Sequence, residues 1–287
     1  MIDKVVSKQF KNLNLYALKK RNLYKSSKPY AHIVIKNFFK EEFLNKVLEE
    51  FPNLEKINSS INYKNKNEVK FTNNKRRNFK KNTKKIFDFL NSKKFVNFLQ
   101  KLSSINEKIL PDPYLSGGGL HEIKRGGVLK VHTDFNKHPF KNIDRRMNVL
   151  IYLNKSWKPR YGGYLELWNE SMKKCIKKIP PIFNTMVIFS TNDFTNHGHP
   201  DPLNCPQGLS RKSIATYYFS KGRPEYEIAK VIKKNTTIFK NRNGKKDDVF
   251  IKNELVKNYL RNFSFYQKIK KFEKKYIRTG KSKKRRK

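Results

Sequence analysis

The stretch between residues 132 and 211 constrains the fold most, because short β-type runs alternate there with turn signals. The runs cover residues 148–153, 164–168 and 186–190. Several short strands separated by turns are typical of an all-β sandwich or barrel. Polar groups stand at both ends of the stretch, with His132-Thr133-Asp134 at its start and Arg211 at its end. We therefore predict a small barrel whose mouth gathers these polar groups.

His132 and Asp134 predict a metal site. Alternate residues of a strand face the same side, so both side chains can reach one metal from one strand. His197 follows the apolar run 186–190 and would supply a third ligand. Two imidazoles and one carboxylate on one face leave the opposite positions open, as in non-haem Fe(II) oxygenases. A His-x-Asp tripeptide recurs by chance, so a hydrogen-bonded surface pair is the alternative.

The order of the motifs resembles the iron(II)- and 2-oxoglutarate-dependent dioxygenases of the prolyl-4-hydroxylase-like group. The matching motifs are His132-x-Asp134, Arg146-x-Asn148-x-Leu150-x-Tyr152-Leu153-Asn154, Gly162-Gly163-x-Leu165-x-Leu167, His197-Gly198 and Arg211. The resemblance implies a mainly β fold with flanking helices. Its barrel would be a double-stranded β-helix, of the jelly-roll or cupin-like type, braced by N-terminal helices and followed by a basic C-terminal extension.

The same resemblance implies roles for individual residues. His132, Asp134 and His197 would bind Fe(II), and no catalytic residue is predicted beyond this metal site. Arg211 would pair with the far carboxylate of 2-oxoglutarate, since a guanidinium fork matches a carboxylate bidentately.

Three further residues are predicted to contact the co-substrate. Tyr152 would offer its phenol to the same carboxylate, and Ser213 lies two residues beyond Arg211 on the same side of a strand. Asn148 would share a face with Tyr152. For Tyr152 and Asn148, ordinary barrel lining is the alternative.

Four residues are placed at the substrate mouth: His138, Trp168, His199 and Tyr217. One position departs from the pattern, because relatives often carry an upstream tyrosine that helps to hold 2-oxoglutarate. Here that region contains His121-Glu122. Either residue could replace the tyrosine, or neither.

Three regions are expected along the chain. Residues 1–29 form a basic, loosely ordered N-terminal segment, and residues 30–222 form the dioxygenase domain with its catalytic core at 117–220. Residues 223–287 form a basic extension, partly helical with a disordered end, and its candidate helix is a basic amphipathic one at 253–277. Within the domain, we expect a strand at 29–39, helices at 40–51 and 84–110, and a loop or poorly ordered insertion at 53–83.

The net charge of +43, from 66 basic and 23 acidic residues, favours attraction to polyanions such as nucleic acid or ribosomes, and the C-terminal extension is the candidate contact. The alternative for this extension, which the sequence favours, is a packing helix with a solvated lysine coat. Two cysteines make no disulfide framework. No signal peptide or membrane-spanning run is evident. These features favour a cytoplasmic protein.

The resemblance implies hydroxylation of an unactivated C–H bond, with O2 as oxidant, succinate and CO2 as co-products, and ascorbate as a candidate reductant. A protein or peptidyl side chain is the expected substrate, with proline as the leading candidate. A nucleic-acid demethylase of the same chemistry stays open. So do a non-catalytic nucleic-acid- or ribosome-binding barrel and a cupin-like metal isomerase, although the intact triad and Arg211 favour the oxygenase.

Overall fold

Two antiparallel sheets and a group of helices make up the computed structural model, which describes residues 2–229, 236–245, 247 and 249. The helices are α1 (Ile2–Val5), α2 (Leu13–Ser26), α3 (Glu41–Glu49), α4 (Lys81–Leu90) and α5 (Lys93–Ser103). The strands are β1 (His32–Lys36), β2 (Ile61–Lys64), β3 (Val69–Asn73), β4 (Leu110–Pro111), β5 (Gly119–Lys124), β6 (Leu129–Thr133), β7 (Asp144–Tyr152), β8 (Leu165–Trp168), β9 (Cys175–Ile179), β10 (Thr185–Ser190), β11 (Asn196–His199), β12 (Ser210–Ser220) and β13 (Ile238–Phe239).

The sheets have the topology of a double-stranded β-helix, which confirms the predicted fold class. Within the described residues, the larger sheet has the order β1-β10-β7-β12-β5-β3-β2, and β4 pairs with β12. The smaller sheet has the order β13-β6-β11-β8-β9. From β6 to β12 the chain crosses repeatedly between the sheets, so residues distant in sequence meet between them.

Helices brace one face of the larger sheet, as predicted. Buried phenylalanines from α4 and α5 join the apolar residues of β7, β10 and β12 in one core cluster. The Tyr218 hydroxyl of β12 donates to the Leu90 carbonyl at the end of α4, 2.8 Å away. The helical layer therefore fixes the position of β12, which carries Arg211 at its other end.

Two local predictions were wrong. Residues 1–29 are not loosely ordered, because they contain α2, whose Leu13, Ala17 and Tyr24 are buried. Tyr24 also forms a 2.8 Å hydrogen bond with Ser190 of β10. The segment 53–83 is not a loop, because β2 and β3 form a hairpin there and β3 pairs with β5.

Part of the predicted C-terminal extension contacts the barrel. Strand β13 pairs with β6, and Phe239 lies opposite His132. The predicted helix at 253–277 and the basic end of the chain lie outside the described residues. None of the helices in the described ranges is long and apolar enough to cross a membrane.

Candidate metal centre

His132, Asp134 and His197 meet at one point between the sheets. Their potential ligand atoms all lie within 4.8 Å of one another, and all three residues are buried. His132 and Asp134 come from the end of β6, and His197 pairs directly with His132 across the smaller sheet. The i, i+2 spacing and this register together bring the three proposed donors to one site.

Backbone carbonyls orient both imidazoles. The Nδ1 atom of His132 lies 2.8 Å from the Lys130 carbonyl, and that of His197 lies 3.4 Å from the Thr195 carbonyl. Since Nδ1–H donates to these carbonyls, each Nε2 keeps a free lone pair. The Nε2 atoms lie 3.7 Å and 3.4 Å from the Asp134 carboxylate. This arrangement of an outer hydrogen bond and a free nitrogen is usual for histidines that bind metals.

Arg145 and Asn148 hold the Asp134 carboxylate. The Asn148 amide donates to Asp134 Oδ2 over 2.8 Å, and an Arg145 Nη2 lies 3.0 Å from the same oxygen. Arg145 also donates to Asn148 Oδ1 over 2.9 Å and 2.7 Å. Its guanidinium lies between the rings of Phe135 and Tyr217, at 4.4 Å and 3.4 Å from their centroids. The carboxylate is thus fixed by two neighbours that are themselves fixed.

The electrostatics keep the donors in the states that a metal requires. Burial alone would raise the pKa of Asp134, but Arg145, His197 and His132 hold that pKa well below its ordinary value. Burial lowers the pKa of His197 to about 3, against the opposing influence of Asp134. An ionised carboxylate and a neutral imidazole are therefore present at neutral pH, and both are the ligating forms.

Arg211 lies at the other end of the same cavity, which has a volume of about 180 Å³. Its Nε donates to the Gly163 carbonyl over 2.8 Å, and an Nη2 donates to the Tyr152 hydroxyl over 3.2 Å. Among the described residues, no carboxylate pairs with this buried guanidinium. A buried cation with neutral neighbours is a site for an anion.

Residues 118–219 match the family model of the 2OG-Fe(II) oxygenase superfamily. This region of the chain is a 2OG-Fe(II) oxygenase domain.

Solved structures show the same fold. A prolyl hydroxylase from Trichoplax adhaerens, in complex with a hypoxia inducible factor oxygen degradation domain peptide fragment, has a TM-score of 0.54 and 18% identity over 76% of this chain and 96% of its own. A Pseudomonas putida prolyl-4-hydroxylase has a TM-score of 0.53 and 12% identity over 74% of this chain and 100% of its own. A Phytophthora capsici prolyl 4-hydroxylase has a TM-score of 0.52 and 19% identity over 75% of this chain and 66% of its own. No match was found among curated proteins.

The donor set of this oxygenase fits the cofactors that its superfamily implies. The enzyme is a 2-oxoglutarate-dependent dioxygenase, and Fe(II), 2-oxoglutarate and O2 follow from the superfamily. Two imidazoles and a carboxylate suit Fe(II), and their convergence from one side leaves room on the other. The unpaired, buried guanidinium of Arg211 suits a carboxylate at the opposite end of the cavity.

The other residues of the predicted co-substrate site differ in position. Ser213 lines the cavity as a buried hydroxyl. Tyr152 is not among the lining residues; it is fully buried and contacts the cavity-lining Arg211. Asn148 also lines the cavity, but its hydrogen bonds go to Asp134 and Arg145. Its contacts therefore lie at the metal end.

The four residues predicted at the substrate mouth lie in different parts of the structure. His199 and Tyr217 line the cavity. Trp168 does not: it lies three residues beyond the cavity-lining Leu165, so strand alternation points it to the opposite face, where its Nε1 donates to Glu166 over 2.9 Å. His138 is also absent from this cavity and instead lines a neighbouring groove, where it is buried.

Two histidine side chains in the oxygenase cavity have nitrogens without partners among the described residues. These are both ring nitrogens of His199 and the Nε2 of His121. Burial lowers the pKa of His121 to about 3 and that of His199 well below its ordinary value, so both rings are neutral. His121 thus occupies the upstream region in which the sequence shows no tyrosine, while Glu122 points elsewhere and accepts from Leu54 and Ser210.

Sequence reasoning missed Arg145. In a regular strand Arg145 and Asn148 would face opposite sides, because they are three residues apart. The register of β7 with β12 shifts, however, between the pairs Arg145–Phe219 and Met147–Tyr218. This bulge at Arg146 reverses the alternation and turns Arg145 into the cavity. A charged residue before the Asn148 strand was the available signal, but its side could not be read from spacing.

Proposed function

We propose that this dioxygenase hydroxylates an unactivated C–H bond of a protein or peptidyl side chain, with proline as the leading candidate, and releases succinate and CO2. The observation that carries the proposal is that one cavity contains the three donors of the metal centre and a guanidinium that pairs with no carboxylate of the described residues. Those two features are the requirements for holding Fe(II) and a dicarboxylate side by side.

His132, Asp134 and His197 are the proposed Fe(II) ligands. When bound, iron and 2-oxoglutarate supply the oxidising chemistry for C–H hydroxylation, with O2 as oxidant. The protein residues keep the ligands in place: backbone carbonyls orient the imidazoles, and Arg145 and Asn148 hold the carboxylate. Such hydrogen bonds from neighbouring groups fix the orientation of the metal-binding side chains, which then need not rearrange during turnover.

Arg211, Tyr152 and Ser213 are the proposed contacts for the far carboxylate of 2-oxoglutarate. Burial lowers the pKa of Arg211, but a guanidinium stays protonated in proteins. The Tyr152 hydroxyl is 3.2 Å from Arg211, so phenol and guanidinium can donate to the same anion. His121 is proposed as the upstream contact, because its free Nε2 faces the same cavity.

The volume of the cavity favours a small aliphatic side chain of a polypeptide as the group that reacts. A cavity of about 180 Å³ has to hold both the co-substrate and the reacting group. The space left suits a prolyl ring better than a flipped nucleobase. A peptide is also present in the Trichoplax adhaerens structure with the same fold.

The proposal is tested first without oxygen and then with it. Purified protein should bind Fe(II) and 2-oxoglutarate under nitrogen, and in air with ascorbate it should release succinate slowly without added substrate. Asp134→Ala and Arg211→Ala should abolish the release. If the wild-type protein binds neither Fe(II) nor 2-oxoglutarate, the proposal is wrong.

The remaining predictions concern the chain beyond the cavity. Polyanion contact through the C-terminal extension, a role for ascorbate and a cytoplasmic location remain proposals. The same holds for the division into residues 1–29, 30–222 with a core at 117–220, and 223–287. The pairing of β13 with β6, in which Phe239 lies opposite His132, supports a contact between the last region and the barrel.

A further inference from the structure

A groove of about 840 Å³ lies beside the metal cavity and has no role in the proposed chemistry. Its walls come from three segments, near residues 74–77, 113–117 and 138–141. Gly117 lines both the groove and the cavity, so the two spaces adjoin there. A Cβ at this position would lie 3.0 Å from Phe135 and 3.3 Å from Tyr217, which line the cavity side. The missing side chain therefore leaves space at the junction.

The charge of the groove is positive. Lys75, Arg76, Arg77 and Lys141 line it, and no acidic residue is among its lining residues in the described part of the chain. Arg76 pairs with Asp88, whereas no carboxylate of the described residues lies within ion-pair distance of the other three. Four clustered cations with a single acidic partner among the described residues attract an anionic ligand.

Two aromatic side chains stand exposed in the same groove. Phe140 is 87% exposed and Tyr114 is 67% exposed. The ammonium of Lys141 lies 5.4 Å from the centroid of the Tyr114 ring. These exposed aromatic rings present apolar surface to water. A ligand that covers them removes this surface from water, which favours binding.

A buried histidine holds this aromatic wall in place. The Nδ1 of His138 accepts hydrogen bonds from the backbone N–H groups of Phe140 and Lys141, each over 3.1 Å. Its Nε2 forms a 3.1 Å hydrogen bond with Ser116 on the neighbouring segment. Asp112 accepts backbone hydrogen bonds from Tyr114 and Ser116, so its charge is used within the wall. The segments that carry Tyr114 and Phe140 are therefore held in place by hydrogen bonds, so less conformational entropy is lost when a ligand binds.

We infer that the groove binds an acidic, extended stretch of the polypeptide substrate next to the residue that reacts. This inference rests on the proposed function. Cations fit the acidic side chains, and the aromatic wall with its flanking Pro113 and Pro139 fits an extended, proline-containing backbone. The adjoining cavity of about 180 Å³ favours a polypeptide over a nucleic acid, because a nucleobase would have to share that space with 2-oxoglutarate.

The test uses the full chain with Fe(II) and 2-oxoglutarate under nitrogen, and fluorescence anisotropy of three labelled probes. The first is a short proline-centred peptide with Asp and Glu flanks. The second has Asn and Gln at the same positions, and the third is a short oligothymidylate. We expect the acidic peptide to bind about tenfold more tightly than the amide peptide, since several exposed ion pairs each add a small favourable contribution.

Matched variants separate the groove from the overall charge. Arg77→Glu combined with Lys141→Glu should remove most of the preference for the acidic peptide. Lys93→Glu combined with Lys94→Glu changes the net charge equally at exposed positions outside the groove and should leave the preference intact. Phe140→Ala leaves the net charge unchanged and should lower the affinity for both peptides about fivefold, because contact area is lost.

Each outcome has one meaning. Equal losses in the two charge-reversal variants would show that only net charge attracts the peptide, and the inference would be overturned. Tighter binding of oligothymidylate that the groove variants abolish would also overturn it, in favour of a nucleic-acid groove. If succinate is released in air but the acidic peptide binds no more tightly than the amide peptide, the groove inference is overturned and the proposed function stands. Absence of 2-oxoglutarate binding would instead remove the proposed function.

Discussion

The two faces of the larger sheet differ in how they use their residues. On the helix side, Met147, Val149 and Ile151 of β7 join the buried phenylalanines in one apolar cluster. On the cavity side, Asn148 of the same strand makes specific hydrogen bonds to Asp134 and Arg145. Alternate residues of one strand thus serve packing and chemistry in turn. The largest apolar cluster therefore lies on one face, whereas the other face holds desolvated polar groups.

The physical basis of the two faces is different. Apolar contacts are non-directional, so the helix side tolerates changes of shape better than changes of volume. Buried charges and polar groups are costly unless each is paired in a defined geometry. On the cavity side Asp134 is paired with Arg145. Among the described residues, Arg211 has hydrogen bonds but no carboxylate partner, and neither ring nitrogen of His199 has a hydrogen-bond partner. These two groups are where ligands are expected.

The largest effect is expected from removing a donor on the cavity side. Asp134→Ala should lower succinate formation at least about a hundredfold, because loss of a ligand should exceed the 10–100-fold typical of outer contacts. Succinate assay in air with added Fe(II) measures this. Asp3→Ala is the matched control, since that carboxylate is 68% exposed. Equal activity of both variants would contradict the assignment of Asp134 as a ligand.

On the helix side, the expected loss is in stability. Phe95 is fully buried, with ring centroids 5.3 Å from Phe89 and 5.4 Å from Phe98. Phe95→Ala should lower the free energy of unfolding by about 3–5 kcal/mol through lost burial and the cavity that remains. Denaturant unfolding measures this, and Leu18→Ala, at a half-exposed position, should change it by less than about 0.5 kcal/mol. Similar losses for both would mean that the helical layer is not a packed core.

Arg145 and Arg211 both line the cavity, but we expect them to affect the binding of different ligands. Arg145→Met should lower Fe(II) affinity about 10–100-fold, because Asp134 loses an orienting partner. Arg211→Met should lower 2-oxoglutarate affinity at least about thirtyfold while Fe(II) affinity changes little. Anaerobic titrations of the metal alone and of 2-oxoglutarate in the presence of metal separate the two losses. Identical patterns in the two variants would show that the cavity behaves as one undivided site.

The smallest effect concerns a helix terminus on the braced side. Glu50 accepts from the backbone N–H groups of Asn82 and Thr83, over 3.0 Å and 2.7 Å, and so caps α4 from a neighbouring segment. Glu50→Ala should cost about 1 kcal/mol of unfolding free energy at neutral pH. Glu49→Ala, at the exposed neighbour, is the control.

The pH dependence of that loss has a defined sign. Burial would raise the pKa of Glu50, but the four hydrogen bonds from Asn82 and Thr83 lower it below 4.5. The charged carboxylate therefore stabilises the fold fully above 4.5, and this contribution disappears as the pH falls through the lowered pKa. Wild type and Glu50→Ala should converge in stability in acid. A difference that grows in acid would contradict the cap.

The barrel and the metal donors could be predicted because they depend on short-range regularity. The spacing of His132 and Asp134 sets their common face, and the apolar run before His197 places it on a neighbouring strand. Arg145 could not be placed, since a bulge at Arg146 breaks the alternation on which the prediction depends. Bulges depend on the partner strand and are not visible in local spacing.

The helix α2 and the β2–β3 hairpin were missed for a related reason. In α2 the buried Leu13, Ala17 and Tyr24 alternate with leucines that are about half exposed, so no clear apolar stripe appears in the sequence. The hairpin is rich in Asn and Lys, and its ordering comes from pairing with β5. Tertiary contacts decide both elements, and local propensity does not encode them.

Strand β12 has a consequence for how such a chain can change during evolution. Arg211, Ser213 and Tyr217 line the cavity, while Ile214 and Tyr218 between and beside them belong to the helix-side core. Insertion or deletion of one residue within this strand would reverse the alternation on one side of the change. Either the Arg211 guanidinium would turn towards the core or the Tyr218 ring would leave it. Length variation is therefore expected in the turns of the smaller sheet, whereas β12 should accept substitutions but keep its number of residues.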